Sequence, residues 1–401
     1  MSDSPTSHIC RRLSARSLGI RVLTLAALHV LSSGAVARAH AGVDAPGLNY
    51  GPTVVRGGLL WSGPAGVSLS SAGGTRLLVA GAQLPEVLLQ GGWIVVVKGS
   101  GQPRAGRRGG RLAAVQSLRH CVPAEEMGER RWRVAVADGN LYTIVQASCL
   151  GRPPRQGQFL VRARLGTGTV HAIGRVPNGA VSLSAAGRRL ALTYEAHGPR
   201  GNRVRVDVRD STTARLLYSV SSPNEEGAPY PYRGMQIDAQ GDVLVTDHFI
   251  FLGPGDVSFT RGWWGSAKTR LGYELDQQGS AIASLSEGRI AYASDRGGVE
   301  HIDVLNLTTR KTRTPVTFPG SVRVEGVGLR SDRLAWAQQS YGYQTITGTP
   351  IGTTVQSRCV AYGPVGPTEL AETTISAHRL PLVVKGISVP PAVGPTCTPP
   401  A

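Results

Sequence analysis

The sequence predicts an all-β fold, a β-propeller of four-stranded blades, from three observations. Seven short segments of one type recur, each with a small or polar residue leading into alternating apolar residues: Gly58-Leu59-Leu60-Trp61, Gly92-Trp93-Ile94-Val95, Gly139-Asn140-Leu141-Tyr142, Arg189-Leu190-Ala191-Leu192, Asp242-Val243-Leu244-Val245, Arg289-Ile290-Ala291-Tyr292 and Arg333-Leu334-Ala335-Trp336. Aligned on Leu59, Ile94, Leu141, Leu190, Val243, Ile290 and Leu334, they lie 35, 47, 49, 53, 47 and 44 residues apart, the period of a four-stranded blade. Apolar alternation bounded by turn formers also appears in Val204-Arg205-Val206-Asp207-Val208, Ile302-Asp303-Val304-Leu305 and Val322-Arg323-Val324, and no stretch carries a sustained helical stripe. Seven blades is the reading. Six or eight stay open, because the first spacing is short and the residues after Gly363 have room for more strand.

Residues 1–41 precede the repeats and read as an export signal. Arg11, Arg12, Arg16 and Arg21 precede or enter a mostly apolar run from Leu18 to Val36, and small residues follow in Ala37-Arg38-Ala39 and Ala39-His40-Ala41. Arg21 and His29 interrupt the run, leaving its apolar length short of the roughly 20 residues of a stable span. The expected location is therefore secreted, periplasmic or cell-surface. The propeller is assigned to residues 42–387 and a Pro-rich tail to 388–401.

The order of elements is clearest in the fourth and sixth repeats. Val181-Ser182-Leu183-Ser184, Leu190 to Glu195, Val204 to Val208 and Leu216 to Val220 make four strands joined by hairpins, with a turn at Asp210 to Thr213. Ala281 to Ser284, Ile290 to Ala293, His301 to Leu305 and Thr312 to Thr317 repeat the pattern, with a turn at Asn306 to Thr309. The stretches Ser184-Ala185-Ala186-Gly187-Arg188-Arg189-Leu190-Ala191 and Ser286-Glu287-Gly288-Arg289-Ile290-Ala291 resemble the S-P-D-G-x-x-L-A pattern of TolB-like and other PD40 or WD40-like propellers. The resemblance covers most of residues 50–365 and implies a propeller there.

If the seven anchors are second strands, the loops after them and the connections between blades emerge on one face, and the hairpins joining strands one to two and three to four on the other. Four long loops are expected on the first face: Gly99 to Gly110 with Arg104, Arg107 and Arg108; Ala147 to Gly157 with Arg152 and Arg155; His197 to Asn202; and Gln339 to Gly352. Two irregular insertions join them, Pro223 to Tyr232 with Tyr230 and Tyr232, and His248 to Lys268 with Trp263 and Trp264. Exposed aromatics beside guanidinium groups stack on sugar rings or bases, which makes these residues the candidate ligand-binding set. The competing reading for Trp263 and Trp264 is packing under the loop and against the blade edge.

Cysteine usage agrees with export. Cys121, Cys149, Cys359 and Cys397 remain after the signal, an even number with no CxxC pair, so two disulfides are favoured over a metal site. Cys121–Cys149 is the first choice of pairing, because both fall on the loop-rich face at neighbouring positions; Cys359–Cys397 would then tie down the tail. The formal net charge of +17 becomes 17 − (5 − 1) = +13 without residues 1–41, which hold five Arg and one Asp. A basic exported chain fits a protein or an anionic envelope polymer as partner, with nucleic acid disfavoured. No GxSxG, HExxH, SxxK or GxxxxGK[ST] pattern occurs, and no cofactor or metal is expected. Asp247-His248, at the end of the fifth anchor strand, is the one acid/base candidate. The leading function is a non-enzymatic binding module using the loop-rich face, and the alternative is a propeller hydrolase or lyase acting on a glycan or peptide.

Overall fold

Each of the seven anchors lies in the second strand of its own sheet and is buried. The structure is a computed structural model that describes residues 53–364, apart from 147–156, 224–232, 252–256, 276–281 and shorter loop segments, together with 383–384 and 387–388. The described elements belong to one unit, Pro46–Ala401.

Six four-stranded antiparallel blades follow one another, each paired in simple chain order. Blade 1 is Thr53–Val55, Gly58–Gly63, Gly66–Ser71 and Gly74–Ala80, and blade 2 is Val87–Gln90, Trp93–Val96, Arg104–Arg107 and Ala113–Ala114. Blade 3 is Val134–Ala137, Asn140–Gln146, Gln158–Arg164 and Val170–Val176, and blade 4 is Ser182–Ala186, Arg189–Gly198, Gly201–Asp210 and Leu216–Ser221. Blade 5 is Arg233–Ile237, Val243–Phe251, Val257–Gly265 and Tyr273–Glu274, and blade 6 is Ala283–Ser286, Arg289–Arg296, Val299–Asn306 and Thr312–Thr317. A seventh sheet has three strands among the described residues, Val322–Arg330, Arg333–Ile346 and Thr349–Pro364. Its first two strands lie against Thr53–Val55 of blade 1, so the ring closes on itself.

The period-2 alternation explains why the ring holds together. Successive side chains of a strand leave opposite faces, so each second strand serves two neighbours. The anchor and the residue two later meet the preceding sheet, and the residue between meets the following one. Leu60 packs with Ile94 and Val96, Val95 with Leu141, and Tyr142 and Ile144 with Leu190 and Leu192. Ala191 packs with Val243 and Val245, Leu244 with Ile290 and Tyr292, and Ala291 and Ala293 with Leu334 and Trp336. The core is thus a series of apolar seams between sheets, and each fully buried Leu or Ile in it contributes about 1.5–3 kcal/mol. Leu59, whose preceding sheet is the seventh, is fully buried as ring closure requires.

Polar bonds fasten the same seams at repeat positions. Ser184 and Ser284 each stand six residues before an anchor, and their hydroxyls accept hydrogen bonds from the next sheet, from Ile237 N–H at 3.2 Å and Leu329 N–H at 3.0 Å. In blade 5 the Gln236 side chain does this work, donating to Ala283 O at 3.1 Å and accepting from Leu285 N–H at 2.8 Å.

Several expected loops are strand. The paired ladder of blade 4 continues to Gly198 and resumes at Gly201, that of blade 5 runs to Phe251 and resumes at Val257, and that of the seventh sheet runs to Ile346 and resumes at Thr349. The backbone N–H and C=O groups of these segments need partners and find them across the hairpin. The Arg run of blade 2 is also partly strand, since Arg104–Arg107 pairs with Trp93–Val96.

Candidate functional site

With first strands innermost, the turns joining strands one to two and three to four share one face, called here the short-turn face. The inner turns of blades 2, 3, 4 and 6 are tight two-residue hairpins, and that of blade 5 spans Asp238 to Asp242. Asp138-Gly139 has φ of 48° and 73°, and Glu287-Gly288 has 50° and 71°, the left-handed pair that matches strand twist. The outer turns of blades 4 and 6, between strands three and four, are longer and share a different device. The Asp210 carboxylate accepts from the N–H groups of Thr212 and Thr213, both at 2.9 Å, and the Asn306 side chain accepts from Thr308 at 3.0 Å and Thr309 at 2.9 Å. These Asx bonds preform the turn, and the fifth residue, Ala214 or Arg310, takes positive φ. The Thr213 N–H is the main cause holding the Asp210 carboxyl below its ordinary range.

Charge separates by radius on this face. The outer turns carry exposed cations: Arg108 and Arg111 in blade 2, Arg215 in blade 4, Lys268 and Arg270 in blade 5, Arg310 and Lys311 in blade 6. The connections 108–112, 165–169, 211–215, 266–272 and 307–311 contain no Asp or Glu. The inner turns carry Asp138 in blade 3, Asp238 and Asp242 in blade 5 and Glu287 in blade 6, while that of blade 4 carries the exposed Arg188, paired with Asp210 at 3.3 Å. A cationic rim therefore surrounds a ring of inner turns that is partly acidic.

Two guanidinium groups are held on aromatic rings. Arg107 lies 4.4 Å from the Trp93 ring centroid, and Arg310 lies 4.3 Å from that of Tyr273 while donating to the Tyr273 hydroxyl at 2.7 Å. Tyr273 in turn sits 4.9 Å from Trp264. Each such cation–π contact is worth about 0.5–1 kcal/mol at an exposed site and fixes the direction of its charge.

The inner turn of blade 5 is bonded to both neighbouring blades. One Asp238 oxygen accepts from the N–H groups of Gln240, Gly241 and Asp242 at 2.9, 2.9 and 3.0 Å, and the other accepts from Gly288 N–H of blade 6 at 2.8 Å. Blade 4 reaches the same turn through Arg189, which donates to Ala239 O at 3.1 Å, and through the Tyr218 hydroxyl, which donates to Gly241 O. Burial, and then the Asp238 charge, push the Asp242 carboxyl up to about 6, with Arg189 and Lys268 pulling the other way.

The predicted site residues fall apart in space. Trp263 and Trp264 are not exposed: they are 3% and 4% accessible and lie in the third strand of blade 5. Trp263 stands opposite Val245 and packs into the seam with blade 4, while Trp264 stands opposite Leu244 and packs into the seam with blade 6. The apolar second strand beside them extends the core into this strand, which local sequence did not mark as one. Arg107 and Arg108 are exposed but belong to the short-turn face, because the third strand of blade 2 ends at Arg107. Arg104, at the start of that strand, donates to Leu112 O at 2.9 Å. Asp247 and His248 sit inside the second strand of blade 5, opposite Arg261 and Thr260, rather than at its end. Arg152, Arg155, Tyr230, Tyr232, Cys149 and Cys397 lie outside the described residues, and Cys359 is placed only as the backbone partner of Gln338. Cys121 is a disulfide cysteine. Among the described residues no three His, Cys, Asp or Glu side chains gather as metal ligands.

The sequence marked two of the rim turns, Asp210 to Thr213 and Asn306 to Thr309, as turns but not their cations as part of a site.

Six four-stranded blades and a closing seventh sheet define a β-propeller, the fold that the TolB resemblance implies. No protein-family model matches the chain, and no curated protein matches it. Among solved structures it is similar to TolB from Acinetobacter baumannii, at 12% identity over 71% of this chain and 76% of that one, with a TM-score of 0.34. It is also similar to a lignostilbene dioxygenase from Pseudomonas brassicacearum, at 10% identity over 69% and 68% with a TM-score of 0.41. A third similarity is to an acylaminoacyl peptidase from Pyrococcus horikoshii, at 8% identity over 64% of this chain and 43% of that one, with a TM-score of 0.39.

Proposed function

We propose that this chain is an exported β-propeller binding module for an anionic partner, and that it engages that partner through the cationic rim of the short-turn face. The carrying observation is the charge of the outer turns: exposed Lys or Arg in blades 2, 4, 5 and 6, against one carboxylate, Asp210 of blade 4, which is occupied by the Thr212 and Thr213 N–H groups and by Arg188 at 3.3 Å. Scattered solvation charge mixes both signs, whereas a one-sign rim produces a field that recruits the opposite charge and raises its association rate. Export rests on the N-terminal arginines and apolar run, and no helix among the described residues is long and apolar enough to cross a membrane. The test is retention of the purified exported chain on sulfated-dextran beads against uncharged dextran beads over a salt series. Retention on the sulfated beads alone, lost as salt rises, is expected; equal behaviour on both at low salt overturns the reading.

A disulfide between Cys121 and Cys149 belongs to the same reading. Pro123 pairs antiparallel with Val145, and Gln146 N–H donates to Val122 O at 3.0 Å, so the chain after Cys121 runs beside the strand that leads to Cys149. The closed loop would hold the connection between blades 2 and 3 against the second strand of blade 3.

A further inference from the structure

We infer that the rim takes a linear polyanion, a flexible chain bearing regularly repeated phosphate or carboxylate groups, laid along the arc of outer turns. The inference rests on the anionic-partner reading above and narrows it to a shape of ligand.

Three observations carry it. First, the cations recur with the blade rather than converging. Arg215 and Lys311 hold the same position of the repeat, five residues after the Asx residue, and their carbonyls accept from Asp210 N–H at 2.9 Å and Asn306 N–H at 3.0 Å. A compact anion meets one such turn, while a chain that follows the arc meets several. Linked contacts then act at high effective concentration without any single strong site.

Second, neighbouring blades bring their cations together along the arc. A Cβ at Gly109, in the outer turn of blade 2, would lie 3.9 Å from Nη1 of Arg76 in the fourth strand of blade 1. The Arg310 guanidinium of blade 6 rests on Tyr273 of blade 5 and so bridges that seam from the outside. The positive stretch therefore crosses the boundary between blades 1 and 2 and that between blades 5 and 6.

Third, the inner turns of blades 3, 5 and 6 oppose the same ligand. Asp138 and Glu287 are exposed, and Asp242 is half-buried, all on the channel side of the rim cations. Carboxylates there repel a polyanion from the channel mouth and confine it to the outer arc, so the face both attracts and steers. The backbone of the outer turns of blades 4 and 6 is fixed by the Asx bonds, and ordering there on binding is limited to the long cationic side chains.

The experiment titrates the purified exported chain with long-chain polyphosphate and with tripolyphosphate at equal total phosphate, over a salt series, beside the variant R215E/K311E. The inference expects the long chain to bind at least about ten-fold more tightly per phosphate, with log affinity falling linearly in log salt. In the variant, long-chain affinity falls about ten-fold and the salt slope flattens by roughly two, one for each lost contact. Tripolyphosphate binding changes less than long-chain binding. R215Q/K311Q serves where charge reversal impairs folding, with an unchanged melting temperature as the check. Equal affinity per phosphate for the two probes overturns the inference and leaves the anionic-partner reading standing. Unchanged long-chain affinity in a folded variant also overturns it. Failure of both probes to bind wild type at low salt overturns the anionic-partner reading itself. Polyglutamate of matched charge distinguishes carboxylate from phosphate as the preferred group, and tighter binding of either long polymer than of its short form satisfies the inference.

Discussion

Asp207 and Asp303 occupy one position of the repeat: each lies in the third strand of its blade, opposite the residue two after the anchor, Leu192 or Tyr292, and each is buried. Their partners also correspond. Asp207 accepts from Tyr194 and Ser219 hydroxyls at 3.1 and 2.7 Å and from Arg209 Nη2 at 3.0 Å. Asp303 accepts from Ser294 and Thr314 hydroxyls at 2.8 and 2.6 Å and from Arg296 Nη2. In each case a second-strand residue four after the anchor and a fourth-strand residue close the carboxylate from both sides. A buried carboxylate is tolerated only when its lone pairs are filled in this way. Burial and the Asp207 charge push the Tyr194 hydroxyl up to about 12, so it stays a donor.

Removing one of these carboxylates should therefore destabilise its blade more than its size implies. Asp303→Ala leaves two hydroxyls and a guanidinium without their acceptor, for a loss of about 3 kcal/mol. Asp303→Asn keeps an acceptor and should lose less. Chemical unfolding of both variants checks the order, and equal stability of Ala and wild type would show the cluster to be idle.

In blade 5 the equivalent position is Trp263, opposite Val245. Trp263→Ala should cost about 3–5 kcal/mol through the cavity it opens in the seam with blade 4. Trp263→Phe should cost much less, because the indole Nε1 it removes has no hydrogen-bond partner. A melting-temperature series separates this packing role from ligand contact, which predicts lost binding at unchanged stability.

The Asp242 carboxyl gives stability a pH dependence with a definite sign. Its value is about 6 in the fold against an ordinary 3.8. Below the lower value both folded and unfolded chains hold the proton. Between the two the unfolded chain releases it while the folded chain keeps it, so stability falls as pH rises and the loss is complete above about 6. Asp242→Asn should therefore match wild type near the acid end of the window and melt higher at pH above it. A gap between the two melting curves that does not widen with pH would refute this.

The proposed Cys121–Cys149 link is read directly by mass spectrometry of a non-reduced digest. A crosslinked peptide pair that disappears on reduction is expected. A Cys121 peptide joined to any other cysteine would redirect the pairing.

Legibility followed the range of each interaction. The seven anchors, the second-strand assignment, and the turns after Val208 and Leu305 were readable because period-2 alternation and Asx turns act within a few residues. The burial of Trp263, held in the sequence as the competing reading, depends on which strand lies beside it and which blade lies behind it. Arg107 and Arg108 were assigned to the wrong face because a strand of four residues, Arg104–Arg107, carries no alternation strong enough to announce itself.

The sequence by itself determined that this chain is all-β, that it repeats at the length of a blade, and that its second strands supply the apolar seams, since each of these follows from local spacing. That the cations of the outer turns come to lie around the acidic inner turns of blades 3, 5 and 6 follows from the closed ring alone. The reason is physical: charges tens of residues apart in the chain become neighbours only when the blades stack side by side, and no local pattern records how a ring is closed.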